Sequence, residues 1–250
     1  MRTQLAAVLM IGMLIAGCNK QAAVKPDFSI GTYNYGDGVW VLLTLSIPTS
    51  YATGPEGVEG TLSGPNTWNS GQPVTFKYYD SNTGDPYWTW WSFGGTPVSG
   101  DYTVSIQLPE YGLVTETMRL DASNLLPQPN PTISINGDDI TVSWDPVSGA
   151  KSYYVGVQRV DSNQNRIWVA GWPTTSTSIV FMNRSRVEPG YSYYAQVYAY
   201  SYDRTKYPVK LCGQCNISYK ASESISLSSD GTIVLSPTKS SPAGVSNDAN

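Results

Sequence analysis

Carboxylate pairs, three cysteines and many aromatic rings are the side chains here that could do chemistry, and histidine is wholly missing. Its absence removes histidine-based triads, imidazole proton shuttles and most catalytic zinc sites together. Glycosidic hydrolysis needs only two carboxylates about 5–10 Å apart. Asp80 with Asp85, or Asp138 with Asp139, offers such a pair, but each stands among Gly, Asn and Pro. Aspartate in that company stabilises a turn by bonding nearby backbone. A polysaccharide hydrolase is therefore the remote alternative, and the expectation is no enzyme and no cofactor. Two runs, Asp80 to Asp85 and Asp161 to Asn165, alternate oxygen ligands as a calcium loop does, but Trp91 and Trp172 fall at loop position 12. A bidentate glutamate belongs there, so both runs read as hairpin turns, with no metal. Cys212-Gly213-Gln214-Cys215 reads as a disulfide clip in an exported chain. So small a loop gains about 2 kcal/mol from the cross-link, less any strain.

The third cysteine sets the address. Arg2 and an apolar stretch from Leu5 to Ile15 precede Leu14-Ile15-Ala16-Gly17-Cys18. That stretch is shorter than the about 20 residues a membrane span needs, and it fits a secretory signal. The run resembles the lipobox of bacterial lipoproteins. The resemblance implies cleavage after residue 17, lipidation of Cys18 and a membrane partner reached through the lipid anchor. Each buried CH₂ adds about 0.8 kcal/mol, so two acyl chains hold stably. By the same resemblance, Asn19 in place of aspartate implies the outer membrane of a bacterial cell envelope. The net charge is −4, or −5 once Arg2 leaves with the signal. A mildly acidic chain lacks the basic stripe that nucleic acid requires.

The elements that must position these groups are strands. Charged residues make up only 14%, whereas Tyr (18), Trp (8), Gly (23) and Pro (17) are plentiful. Aromatic and β-branched runs broken by Gly, Pro, Asn and Ser predict short strands joined by turns. In the second half these are Pro131 to Ile135, Ile140 to Trp144, Tyr153 to Val157, Arg166 to Val169, Ser176 to Phe181 and Tyr193 to Ala199. With Trp144 as the tryptophan of its second strand and Tyr193 as a corner tyrosine, this half resembles a fibronectin type III domain. The last strand is poorly marked, behind a long connection from Tyr202 to Cys215.

The first half offers Val39 to Ile47, Val58 to Leu62, Val74 to Tyr79, Tyr87 to Phe93, Tyr102 to Leu108 and Gly112 to Leu120 as strands. Gly100-Asp101-Tyr102-Thr103-Val104 resembles the late strand of immunoglobulin-like domains, with Tyr102 as its corner. The expected fold class is thus all-β, with two tandem β-sandwich domains. The organisation is signal 1–17, lipidated tether 18–26, immunoglobulin-like sandwich 27–122, Pro-rich linker 123–130, fibronectin type III-like domain 131–227, and a short strand and disordered tail 228–250.

Alternation then predicts a surface. With Tyr193, Ala195, Val197 and Ala199 inward, Tyr194, Tyr198 and Tyr200 point outward, and Tyr154 faces out beside them. In the first half, Trp88 with Trp90, or Tyr87 with Trp91, is exposed by the same argument. The long loop would present Arg204, Lys206 and Tyr207. Exposed flat rings suit the C–H faces of sugars or a protein partner that buries them. The expected function is a non-enzymatic, lipid-anchored adhesion or binding module for a glycan or protein. The alternative is a structural or assembly subunit with the aromatic face buried.

Overall fold

The computed structural model describes residues 26–46, 59–77, 88–108, 111–137, 139–161, 163, 165–181, 187–206, 211, 213–228 and 233–236. In chain order the first half gives β1 (Asp27–Tyr35), β2 (Gly38–Ser46), β3 (Glu59–Ser63), β4 (Val74–Lys77), β5 (Trp88–Phe93), β6 (Gly100–Leu108) and β7 (Gly112–Leu120). The second half gives β8 (Thr132–Asn136), β9 (Asp139–Ser143), β10 (Ser152–Val160), β11 (Arg166–Thr174), β12 (Ser178–Phe181), β13 (Ser192–Tyr200) and β14 (Ile217–Ala221). A hairpin of β15 (Ser224–Leu227) and β16 (Ile233–Ser236) follows.

Each half divides its strands in the same way. The first, second and fifth lie in one sheet; the third, fourth, sixth and seventh lie in the other. An antibody constant domain places its fourth strand with the first, second and fifth, so both modules share one departure from that scheme. In each, apolar strand faces meet the opposite sheet, with β1 and β14 carrying polar residues on that face at the joint. Val41, Leu43 and Leu45 of β2 pack on Leu62, Tyr102 and Val104. Val155 and Val157 of β10 pack with Ile140, Val142, Trp144, Ala195 and Val197.

Both corners named from sequence are present. The Tyr193 hydroxyl accepts the Glu188 N–H at 2.6 Å and donates to the Glu188 carbonyl at 3.2 Å. The Tyr102 hydroxyl accepts from Val98 N–H at 3.3 Å and donates to its carbonyl at 3.0 Å. Trp144 sits just past β9, buried, with its ring edge-on to Tyr153 at 5.2 Å. The poorly marked last strand is β14, which breaks at Ser222 and resumes as β15. Across the break, the Ser222 N–H donates to the Ala195 carbonyl and its hydroxyl accepts the Ala195 N–H, both at 2.9 Å.

The modules share a sheet. β1 runs parallel to β14, with Tyr33 opposite Ile217 and Tyr35 opposite Tyr219. This joins the four-stranded sheet of the second module to the three-stranded sheet of the first, in the order β11-β10-β13-β14-β1-β2-β5; with β15 and β16 the sheet has nine strands. β1 is a strand that the sequence pattern did not announce. Gly31 makes the close approach possible, because a Cβ there would lie 1.7 Å from the Cys215 carbonyl oxygen. Just beside it, the Cys215 N–H donates to the Ile30 carbonyl at 3.1 Å. Buried Asn216 fastens the same point: its side-chain oxygen accepts the Thr32 N–H and the Thr32 hydroxyl, each at 3.0 Å, and the Gln214 amide at 3.1 Å.

The Pro-rich linker is bonded to this joint. Its Leu126 and Pro127 carbonyls accept from the side chains of Asn34 and Ser218 at 2.9 and 2.7 Å, and its Asn124 carbonyl, 3.3 Å from the Thr32 hydroxyl, shares with Asn216 that group's one proton. Pairing register puts the Thr32, Asn34 and Ser218 side chains on the same face of the sheet as Ile30 and Val197, the two module cores. Leu126 itself is buried in the second core. The linker thus lies under the joint, between the cores.

Candidate functional site

The other face of the shared sheet carries aromatic rings. Alternation along β13 is as the sequence implies: Tyr193, Ala195, Val197 and Ala199 enter the second core, and the intervening residues take the opposite face. Their exposure is not as expected. Tyr194 and Tyr200 are buried, and Tyr154 and Tyr198 are half-buried. The reason is non-local. β14 and β1 add Tyr219, Tyr33 and Tyr35 to the same face, where they pack with Tyr154, Tyr198 and Tyr200, and the Tyr194 hydroxyl is held by the Gln158 side chain.

The ring contacts form one row. Trp90 meets Tyr33 at 5.1 Å between centroids, and Tyr33 stacks on Tyr35 at 5.7 Å. Tyr35 stacks on Tyr219 at 5.2 Å, Tyr219 meets Tyr198 at 4.6 Å, and Tyr198 meets Tyr154 edge-on at 6.5 Å. Trp168 stacks on Tyr154 at 6.2 Å and ends the row. Such pairs contribute about 0.5–1.5 kcal/mol each beyond their buried area. Burial pushes the Tyr33, Tyr198 and Tyr219 phenols well above their usual range. Neighbouring phenols add to the shift at Tyr33 and Tyr198, while the Gln196 amide opposes it at Tyr219.

Arg204 does not project from its loop. It is 8% exposed, with its guanidinium 4.7 Å over the Tyr154 ring and 5.3 Å from that of Tyr200, whose hydroxyl accepts from it at 2.8 Å. Ser152 holds the loop down: its hydroxyl donates to the Tyr202 carbonyl at 2.7 Å and accepts the Arg204 N–H at 3.0 Å. The start of the loop is thus a cover for the rings. Lys206 does reach solvent, paired with Asp203 at 3.0 Å.

In the first module, Trp90 is half-buried against Tyr33, and Trp91 is buried, with its indole N–H on the Lys77 carbonyl at 2.9 Å. Trp88 is placed by its backbone opposite Ser46. Cys18, Asp80, Asp85, Tyr87, Asp138, Tyr207 and Cys212 lie outside the described residues. Cys215 is buried among the seam rings.

The Asp161 run is a turn, as read. Its carboxylate accepts the Asn163 and Asn165 N–H groups at 2.8 Å each and the Asn165 amide at 2.8 Å. The Asn165 side chain and N–H hold that carboxyl below its usual range. No group of metal-binding side chains is present among the described residues.

Trp40 on β2 is 37% exposed, and three large apolar side chains open to solvent on the edge strand β11. Ile167 is 37% exposed, Trp168 44% and Trp172 64%. None of these was singled out from sequence, where β11 read only as a strand. A cleft of about 610 Å³ opens at the far end of the joint, between Tyr35, Gln128, Asn130, Tyr219 and Lys220.

Strand order and the two separate cores describe two β-sandwiches in tandem. The chain has an all-β fold of two β-sandwich domains. It is similar to chicken CNTN1 FN1-FN3 domains, at 12% identity and TM-score 0.30, covering 84% of this chain and 64% of that one. It is also similar to a two fibronectin type III domain segment from chicken tenascin, at 15% identity and TM-score 0.28, covering 84% and 98%. A cytokine receptor complex matches at 16% identity and TM-score 0.29, covering 87% and 99%. The chain therefore spans less than two thirds of the CNTN1 chain's length. At these identities and TM-scores no role follows from the likeness. No protein-family model matches the chain, and no curated protein matches it.

Proposed function

We propose that this protein is a non-enzymatic binding or adhesion module of a bacterial envelope, held by lipid on Cys18 and offering the β11 edge to a glycan or protein. The observation that carries the reading is exposed tryptophan on both faces of the β11 edge, Trp168 at 44% and Trp172 at 64%, on a sheet whose other rings are largely enclosed. Exposed tryptophan fixed on rigid sheet is a binding surface with little ordering cost. Lipidation rests on the Leu14 to Cys18 run, and the immunoglobulin-like kinship of the first module on its Gly100 to Val104 motif.

Binding of the detergent-extracted protein to a panel of glycans and envelope proteins tests the reading. Saturable binding lost on joint Trp168→Ala and Trp172→Ala substitution is expected; no binding to any member would overturn it. Cys18→Ala should shift the protein from the membrane pellet to the soluble fraction, and continued pelleting would remove the anchor.

One observation favours the alternative of an assembly subunit. Among the described residues β11 pairs with β10 alone, so the outer edge of this nine-residue strand offers backbone groups to another chain. Cross-linking through β11 into a defined oligomer, without glycan binding, would select that reading.

A further inference from the structure

Gly156 and Gly171 stand opposite each other on β10 and β11. A Cβ on either would strike the Trp168 ring, at 2.2 Å and 2.4 Å respectively. The indole therefore rests against bare backbone, and its stack on Tyr154 is nearly parallel, at 17°. A register shift between Val157 and Gln158 brings it there. Val157 pairs with Ala170 but Gln158 pairs with Trp168, so the bulge turns Trp168 onto the aromatic face. In an unshifted ladder it would have faced the core.

Polar groups line one side of this plate. The Tyr194 hydroxyl donates to the Gln158 carbonyl oxygen, the Gln158 amide donates to Gln196 at 3.0 Å, and the Gln196 amide donates to the Tyr219 hydroxyl at 2.9 Å. Each glutamine spends one N–H in that row and keeps a second. Arg166, two residues before Trp168 on the same strand, shares its face by alternation and is exposed. No carboxylate lies within ion-pair distance of it among the described residues. Its charge reaches the phenols of Tyr194 and Tyr219.

A flat apolar plate, spare amide N–H groups and a cation with no counter-ion among the described residues complement three features of one ligand: a C–H ring face, ring hydroxyls and a carboxylate. We propose that Trp168, with Gln158, Gln196 and Arg166 around it, binds a carboxylate-bearing pyranose of an acidic polysaccharide. The proposal rests on the binding-module reading and narrows it to one chemical class. The chain as a whole is acidic, at net charge −4, so its overall field does not draw in such a polymer. Recognition falls to Arg166 and the plate.

The test titrates the detergent-extracted full chain with hexagalacturonate and, separately, with neutral cellohexaose, followed by tryptophan fluorescence and calorimetry. Saturable binding of hexagalacturonate is expected, with cellohexaose at least about tenfold weaker. Arg166→Gln, at an exposed position, should weaken hexagalacturonate by about tenfold without moving the thermal transition. Trp168→Ala should abolish binding, while Trp172→Ala, on the opposite face by register, should leave it intact. Equal affinity for the two oligomers, full binding by Trp168→Ala, or no saturable binding of hexagalacturonate would overturn the site. A different glycan or a protein bound equally by wild type and Trp168→Ala would also overturn it, while leaving the binding-module reading in place.

Discussion

The two faces of the shared sheet are built on different rules. Beneath it, aliphatic and aromatic side chains together fall into two separate cores, one per module, with the hydrogen-bonded linker between them. Above it, tyrosine and tryptophan rings run without interruption from β5 to β11. One face keeps the modules distinct and the other welds them. Separate cores let each sandwich bury its own apolar surface. A ring row, reaching farther from the backbone, can cross a joint where two strands from different modules meet.

The largest effect expected from this contrast is alkaline. Burial raises the phenols of Tyr33, Tyr198 and Tyr219 in the folded protein. Above about pH 10 the unfolded chain loses those protons and the folded chain does not, so stability falls as pH rises. Ultraviolet titration of tyrosinate should show ionisation coinciding with loss of near-ultraviolet dichroism. Reversible ionisation of all tyrosines near pH 10 in a folded protein would contradict the enclosed row.

Trp144→Ala should cost about 3–5 kcal/mol, as for a core tryptophan. If the lower cores are truly separate, hydrogen exchange should accelerate in β9 and β10 and leave β6 and β7 protected. A loss below about 1 kcal/mol in denaturant titration would remove Trp144 from the core.

Gly31→Ala acts on the joint instead. The added methyl meets backbone oxygen, which cannot swing aside as a side chain would. About 1–3 kcal/mol should be lost, and a single denaturant transition should split into two as the modules uncouple. An unchanged single transition would mean that the joint does not couple them. The smallest effect should come from Arg119→Ala. Its exposed pair with Asp101, at 3.1 Å, is worth below about 1 kcal/mol, and a larger loss would point to a role for β7 beyond its own module.

Much of this was legible from local pattern. The corner tyrosines, Trp144 and the alternation of β13 depend on residues near one another in sequence, and the structure repeats them. β1 was not legible, because Thr32 and Asn34 take core-facing positions yet serve the linker carbonyls, which erases the apolar alternation. The enclosure of Tyr194, Tyr198 and Tyr200 escaped for a related reason. Alternation tells which face a ring takes, but not that a strand about 180 residues earlier will lie alongside. The Trp168 plate had a faint signal in Gly156 and Gly171, yet only the register between β10 and β11 makes them partners.

The position of β1 governs how the molecule takes load. A pull on the chain ahead of Asp27 acts along this strand, which is laddered to β2 over nine pairs and to β14 over three. Ladder bonds lie across the direction of such a pull, so they are sheared together instead of opened one after another. Traction on the amino-terminal segment is thus received by an interior strand of the broad sheet, and both sandwiches resist it at once.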